Sequence, residues 1–227
     1  MAWRGGTGAA QSVGLQVGGV QLTMAQEPGR EMQDRGTGGT VWNCAFVMAK
    51  YLEQLARQES IDAWRSLRVL ELGSGTGIVG LAAAVLFRPE LMQLTDLPAQ
   101  LPLIEVNLQA ARNVADGESR AGLDRVRIGT LDWAAPSETP GAYDVILASD
   151  CVWPKVDNSL FVHALRSLAT PRTRVLLAYE YRGESCRQTF FAPAEKLFTF
   201  TRVPDQLLHP DYRTDDIEVY SLTRIAA

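Results

Sequence analysis

The chain has 227 residues, 46% of them apolar and 21% charged, with a formal net charge of −4. One α/β domain accommodates that length, and a domain of this size buries roughly 70–75% of its unfolded surface, so it needs no disulfide or metal staple. The slightly acidic balance excludes the broad basic footprint of a nucleic-acid or anionic-membrane binder, and no apolar run approaches the roughly 20 residues of a membrane span.

In chain order, Met1–Ala10 is Gly-rich, without the basic start and apolar core of a secretory leader, and is expected to be a flexible N-terminus ahead of a single domain over 11–227. Val13–Met24 alternates apolar and polar around Gly18-Gly19, the pattern of a β-hairpin. A polar connection, Glu27–Gly39, leads to a helix over Val41–Glu59 marked by Val41, Cys44, Ala45, Met48, Leu52 and Leu55, with Thr40 as its N-cap. Strands are predicted at Val69–Leu72, Leu91–Thr95, Val126–Leu131, Tyr143–Ala148 and Arg174–Tyr179, and helices at Ile78–Leu86, Leu101–Val114, Leu160–Leu168 and Cys186–Leu197. Phe200–Val203 and Ile217–Ile225 end the chain as two strands close in sequence, hence an antiparallel pair. Strands alternating with helices predict a doubly wound, mostly parallel sheet. Cys44, Cys151 and Cys186 are odd in number and widely spaced, which suggests a reducing compartment, cytoplasm or nucleus, and no disulfide framework. With His163 and His209 the only histidines, no His-rich metal centre is expected.

The chemistry concentrates in Glu71-Leu-Gly73-Ser74-Gly75-Thr-Gly77, between the first predicted strand of the sheet and its helix. Glycines there let the backbone turn sharply and approach a ligand that a Cβ would repel, and the helix start beyond offers free N–H groups and a positive dipole end. This is a nucleotide-type cofactor site. Gly75-Thr-Gly77-Ile-Val-Gly80 also fits the dinucleotide pattern G-x-G-x-x-G; an NAD-dependent oxidoreductase, however, needs a proton relay such as Tyr-x-x-x-Lys, which is absent. Asp96 ends the second strand of the sheet 19 residues past Gly77, where a carboxylate reaches ribose hydroxyls. Asp132-Trp133 and Ser149-Asp150 end the third and fourth strands, on the same rim.

Read together, the motifs resemble the family-16 methyltransferases, seven-strand enzymes that methylate lysines of non-histone proteins. The resemblance runs through Val17-Gly-Gly-Val20-Gln-Leu22, Thr40-Val-Trp42 to Tyr51-Leu52-Glu53, Glu71-Leu-Gly-Ser-Gly-Thr-Gly, Thr95-Asp96-Leu97-Pro98 followed by Asn107, Leu131-Asp132-Trp133, Tyr143 to Asp150, and Tyr179-Glu180-Tyr181-Arg182. It implies that Trp42, Glu71, Gly73, Ser74, Gly75, Gly77, Asp96, Leu97, Asp132, Trp133 and Ser149 bind S-adenosylmethionine. It also implies that Asp150 and Trp153 are catalytic and line an acceptor channel, although Trp153 stands where the family has tyrosine or phenylalanine. The implied partner is a protein carrying the target lysine, met by a monomeric enzyme with no nucleic-acid or membrane partner. Glu180 and Arg182 read equally as a plain ion pair at a strand end. Asp157, Asp205, Asp211, Asp215 and Asp216 could form an acidic rim that attracts a basic target, or a solvated surface. A small-molecule or protein-arginine methyltransferase would share every cofactor residue.

Overall fold

A computed structural model describes residues 10–28, 37–136, 142–154 and 156–226. Most of the expected flexible N-terminus lies outside them. A hairpin, β1 (Ser12–Val17) and β2 (Val20–Ala25), comes first, turning on Gly18 and Gly19, both at positive φ. Then follow α1 (Asn43–Gln58), α2 (Ile61–Arg65), β3 (Arg68–Leu72), α3 (Ile78–Phe87), β4 (Leu91–Asp96), α4 (Leu101–Val114), α5 (Gly117–Leu123), β5 (Val126–Thr130), β6 (Val145–Ser149), α6 (Asn158–Leu168) and β7 (Arg174–Glu180). A composite helix, α7, joins Glu184–Cys186, a π turn at Arg187–Phe191 and Ala192–Ala194; β8 (Phe198–Arg202) and β9 (Ile217–Arg224) close the chain. No helix among the described residues is long and apolar enough to cross a membrane.

The main sheet has the order β5-β4-β3-β6-β7-β9-β8. Its first five strands are parallel, while β9 runs antiparallel to both β7 and β8. Because strand side chains alternate, both faces are apolar where both are covered. Val69, Val145, Leu147, Leu176 and Ala178 enter one core, with α1, α3 and α4. Leu70, Leu72, Ile146, Ala148, Val175 and Leu177 enter the other, with α6 and α7. This is the doubly wound seven-strand sheet predicted, with its terminal antiparallel pair and N-terminal hairpin.

The order of the strands reverses between β3 and β6, the place where such folds open a crevice beyond the carboxyl ends of their strands. Three local expectations are corrected. The first helix begins at Asn43, with Trp42 at the N-cap position, so Thr40 does not cap it. The last predicted helix ends at Ala194, and β8 starts at Phe198. Helices α2 and α5, of five and seven residues, were not anticipated.

Candidate active site

Beyond β3 the backbone takes three left-handed steps, at Gly73, Gly75 and Gly77 (φ 63°, 56° and 84°). A Cβ on Gly73 would stand 3.0 Å from the Trp133 ring and 3.2 Å from Cys151 Sγ, and one on Gly75 would lie 3.1 Å from the Gly38 carbonyl. Glycine is therefore required twice over, by conformation and by space. Gly77 works differently: it closes the turn through its N–H to Ser74 O at 2.7 Å and stands back from the cleft, at the N-cap of α3.

The loop opens on a cavity of about 480 Å³, a size suited to a small-molecule ligand. Every other residue of the predicted site lines it. From β3 and its loop come Glu71, Gly73, Ser74 and Gly75, and from the end of β4 Asp96 and Leu97. Asp132 and Trp133 follow β5, Ser149 and Asp150 end β6, Trp153 lies beyond, and Trp42 faces them from the start of α1. Arg182, past β7, completes the wall.

The carboxylates differ in environment. Asp96 Oδ2 accepts the Gly75 N–H at 2.8 Å and Oδ1 the Leu97 N–H at 2.7 Å. Burial raises its pKa, and these two N–H groups offset the rise only in part. Glu71, on the adjacent strand, is 2% exposed and accepts the Gly80 N–H at 3.1 Å. Burial pushes it to about 8, against the lowering effect of its bonds to Ser74 and Gly80, and Asp96 adds to the rise. Ser74 is anchored on both sides, its N–H on Thr95 O at 2.9 Å and its Oγ receiving the Thr95 N–H at 3.0 Å.

Asp150 leaves β6 in a left-handed conformation (φ 58°), a state non-glycine residues adopt rarely and Asp more readily than most. Its N–H is tied to Ala178 O at 3.0 Å, and its side chain is 6% exposed. Burial raises its pKa; the Arg182 charge, the Arg182 hydrogen bonds and a bond from the Cys44 thiol hold it down. Trp153 is fixed through its backbone. Buried Asn158 accepts its N–H at 3.2 Å, donates to its carbonyl at 3.1 Å, and donates to Thr189 Oγ1 at 2.9 Å. Trp133 is half-buried, its ring centroid 4.9 Å from that of Phe161, so it is both cavity wall and packing residue. Trp42 Nε1 donates to Thr37 O at 2.8 Å.

Sequence reasoning left Glu180 and Arg182 as a plain ion pair and did not find Asn158. Arg182 in fact bridges Asp150 and Glu180, with Nη2 at 2.8–3.0 Å from both Asp150 oxygens and 2.8 Å from Glu180 Oε2. The Tyr-Glu-Tyr-Arg motif carried that signal. Asn158 offered none, because its partners are the Trp153 backbone and the Thr189 hydroxyl 31 residues on, and no sequence pattern marks either contact. Of the proposed acidic rim, Asp157 lines the cavity but caps α6 through Ser159, and Asp205 pairs with Arg202 at 2.8 Å.

The residues present suit S-adenosylmethionine. The cradle a Cβ would fill lies against a helix start, a carboxylate stands at the end of β4, and Ser149 Oγ is buried without a hydrogen-bond partner among the described residues. An orphaned hydroxyl on a cavity wall is costly unless a ligand satisfies it.

The comparisons agree. The family model described as lysine methyltransferase matches residues 21–197. The mouse protein "EEF1A lysine methyltransferase 3" is 33% identical over 76% of this chain and 67% of its own. The zebrafish "Protein N-lysine methyltransferase METTL21A" is 30% identical over 73% and 72%. Among solved structures, a Thermus thermophilus 16S rRNA methyltransferase in complex with AdoMet and guanosine superposes with a TM-score of 0.56 at 15% identity, covering 94% of this chain and 50% of that one. A Pyrococcus horikoshii protein described as a putative RNA methyltransferase gives 0.55 at 13%, covering 89% and 93%; at such identities the likeness is one of fold. The chain is an S-adenosylmethionine-dependent methyltransferase and belongs to the lysine methyltransferase family.

Proposed function

We propose that the acceptor is the ε-amine of a lysine in a non-histone protein, bound with Asp150 on one side and indole rings on the other. The observation that carries this reading is Asp150 itself, a buried carboxylate one residue past Ser149, in a cleft also lined by Trp42 and Trp153. The relatives named as lysine methyltransferases support it.

When bound, S-adenosylmethionine supplies an electrophilic methyl group on a sulfonium, whose departure leaves a neutral thioether. The protein has then to present a lone pair in line with that bond, at near-attack distance. A lysine amine in water has a pKa of about 10.4 and arrives as an ammonium. Trp42 and Trp153 form a desolvating wall that disfavours the charged form while their faces still attract the arriving cation. Asp150 accepts one N–H and so fixes where the nitrogen lone pair points. Glu71, Asp96, Ser149 and Trp133 hold the cofactor, with Asp96 serving the ribose and Trp133 the adenine.

The test is transfer of labelled methyl from S-adenosylmethionine to purified EEF1A and to a whole-cell lysate, with the modified atom located by mass spectrometry. Label on a lysine Nζ supports the reading. Label confined to a small metabolite or to arginine overturns the acceptor and leaves fold and cofactor untouched.

A further inference from the structure

The wall of the cleft already contains a cation, and it belongs to the enzyme. Arg182 Nη2 donates to Asp150 Oδ1 and Oδ2 at 3.0 and 2.8 Å and to Glu180 Oε2 at 2.8 Å. Its guanidinium carbon lies 5.8 Å from the Trp42 ring centroid and 5.9 Å from that of Trp153. Two carboxylates and two indole faces are the groups that recognise a cationic side chain.

We propose that Arg182 is the internal counter-cation of the acceptor subsite: it offsets the charge of Asp150 and Glu180 so that the incoming amine gives up its proton to solvent water on entering the subsite instead of being held as ammonium. This rests on the amine-acceptor reading above. Without Arg182, the buried Asp150 carboxylate and the half-buried Glu180 carboxylate behind it would act on the amine uncompensated, and opposite charge at that range favours the protonated form. That form has no lone pair with which to attack. With Arg182 in place one negative charge is cancelled, and its own charge opposes a second cation. Arginine suits the task because its guanidinium stays charged at any working pH. An ionised carboxylate offers about four acceptor positions, and Arg182 takes one on each Asp150 oxygen, so the amine can bind Asp150 without displacing it.

The charged and titratable groups facing this point are Asp150 from the end of β6, Glu180 from the end of β7 and Cys44 from α1, with Asp157 farther along the same cleft. The ligand atoms of Cys44, Asp150 and Glu180 lie within 4.8 Å of one another, as metal ligands would, but the guanidinium already supplies the positive charge. Cys44 stays a neutral thiol, raised by burial first and by Asp150 next.

Two measurements decide. In the first, enzyme loaded with S-adenosylhomocysteine is titrated with n-butylammonium at pH 7 and followed by NMR. Arg182→Gln is expected to bind it at least tenfold more tightly than wild type; equal or weaker binding overturns the proposal. In the second, single-turnover methylation of the protein labelled in the transfer assay is followed from pH 6 to 10. The acid limb is expected to move up by a pH unit or more in Arg182→Gln, to stay near wild type in Arg182→Lys, and to move down in Glu180→Gln. A residue that merely holds structure would lower the rate at every pH with the limb unmoved, and that result overturns the proposal. S-adenosylhomocysteine affinity within a few-fold of wild type reports an intact fold; should Arg182→Gln fail to fold, the opposite shift in Glu180→Gln still decides. A wild type that labels no amine sinks the acceptor reading before any variant is compared, and this inference with it. A wild type that labels lysine, with limbs unmoved in the variants, overturns this inference alone.

Discussion

Asp96 and Glu71 end or nearly end adjacent strands, yet they answer pH and ligand differently. Asp96 rests on two backbone N–H groups of the loops it joins, Gly75 and Leu97. Asp96→Ala should weaken S-adenosylmethionine binding by about 1.5–3 kcal/mol for each hydrogen bond lost to the charged acceptor, read by calorimetry. Glu71 lies deeper, 2% exposed. Unfolded it ionises near 4.5, and folded near 8. Its pKa is raised by folding, so the associated stability is fully present below about pH 4.5 and is lost as pH rises to about 8. Glu71→Gln keeps an oxygen for the Gly80 N–H and removes the titration. The ligand-free variant should therefore become more stable relative to wild type across that window, by up to about 4 kcal/mol. Urea unfolding of both proteins at pH 5, 6.5 and 8 checks this; a stability difference that stays flat with pH would show that Glu71 is ionised in the folded protein.

At the scale of elements, α3 is buried on all sides, and close approach rather than amphipathicity shapes its sequence. A Cβ on Gly80 would sit 2.0 Å from Leu94 Cδ2, 2.6 Å from Glu71 Oε2 and 2.9 Å from Met92 Cε. Helix propensity alone would make Gly80→Ala stabilising by about 1 kcal/mol. Overpacking costs about 1–3 kcal/mol and should win, lowering the denaturation midpoint and disturbing the carboxylate beneath the loop. Trp133 links two elements, walling the cavity at Gly73 and packing on Phe161 of α6. Trp133→Ala should weaken cofactor binding by about 1–3 kcal/mol, the range for stacking on a base. Being half-buried, it should cost less stability than the about 3–5 kcal/mol of a fully buried tryptophan. Strong periodicity made α1, α4 and α6 legible in the sequence, and α3 showed as the apolar run that follows the glycine turn. Helices α2 and α5 were not, since five to seven residues give barely two turns of pattern. Glycines and strand-end acids marked the cofactor side of the cavity, because each stands at the carboxyl end of a parallel strand and parallel pairing puts those ends on one rim. Arg182 and Asn158 stayed hidden because what they do depends on partners that only the fold supplies: Arg182 meets Asp150 across neighbouring β6 and β7, and Asn158 joins the Trp153 backbone to Thr189 of α7.

For the whole molecule, one buried side chain ties three parts together. Asn107, fully buried in α4, accepts the Ala25 N–H at 2.7 Å and donates to Ala25 O at 3.1 Å and Thr76 O at 2.9 Å. It thereby joins the N-terminal hairpin, outside the main sheet, to α4 and to the glycine loop. The hairpin is a two-stranded ribbon, which by itself is marginal in water; it is held by packing on α3 and α4 and by this amide. Asn107→Leu keeps much of the volume but orphans one buried donor and two buried acceptors, each costing about 1–3 kcal/mol if water cannot reach it. The variant should lose at least about 3 kcal/mol of stability by urea unfolding, more than a leucine-for-asparagine exchange at a solvated position could cost. Thr76 sits between Gly75 and Gly77, so freeing its carbonyl should also loosen the cradle and weaken S-adenosylhomocysteine binding. Hydrogen exchange offers the sharper readout. Protection should fall together at β2 and in the glycine loop, 50 residues apart in sequence, while β7 and β9 keep theirs. Loss confined to β2 would mean that the hairpin docks independently of the cofactor loop and that the amide couples nothing.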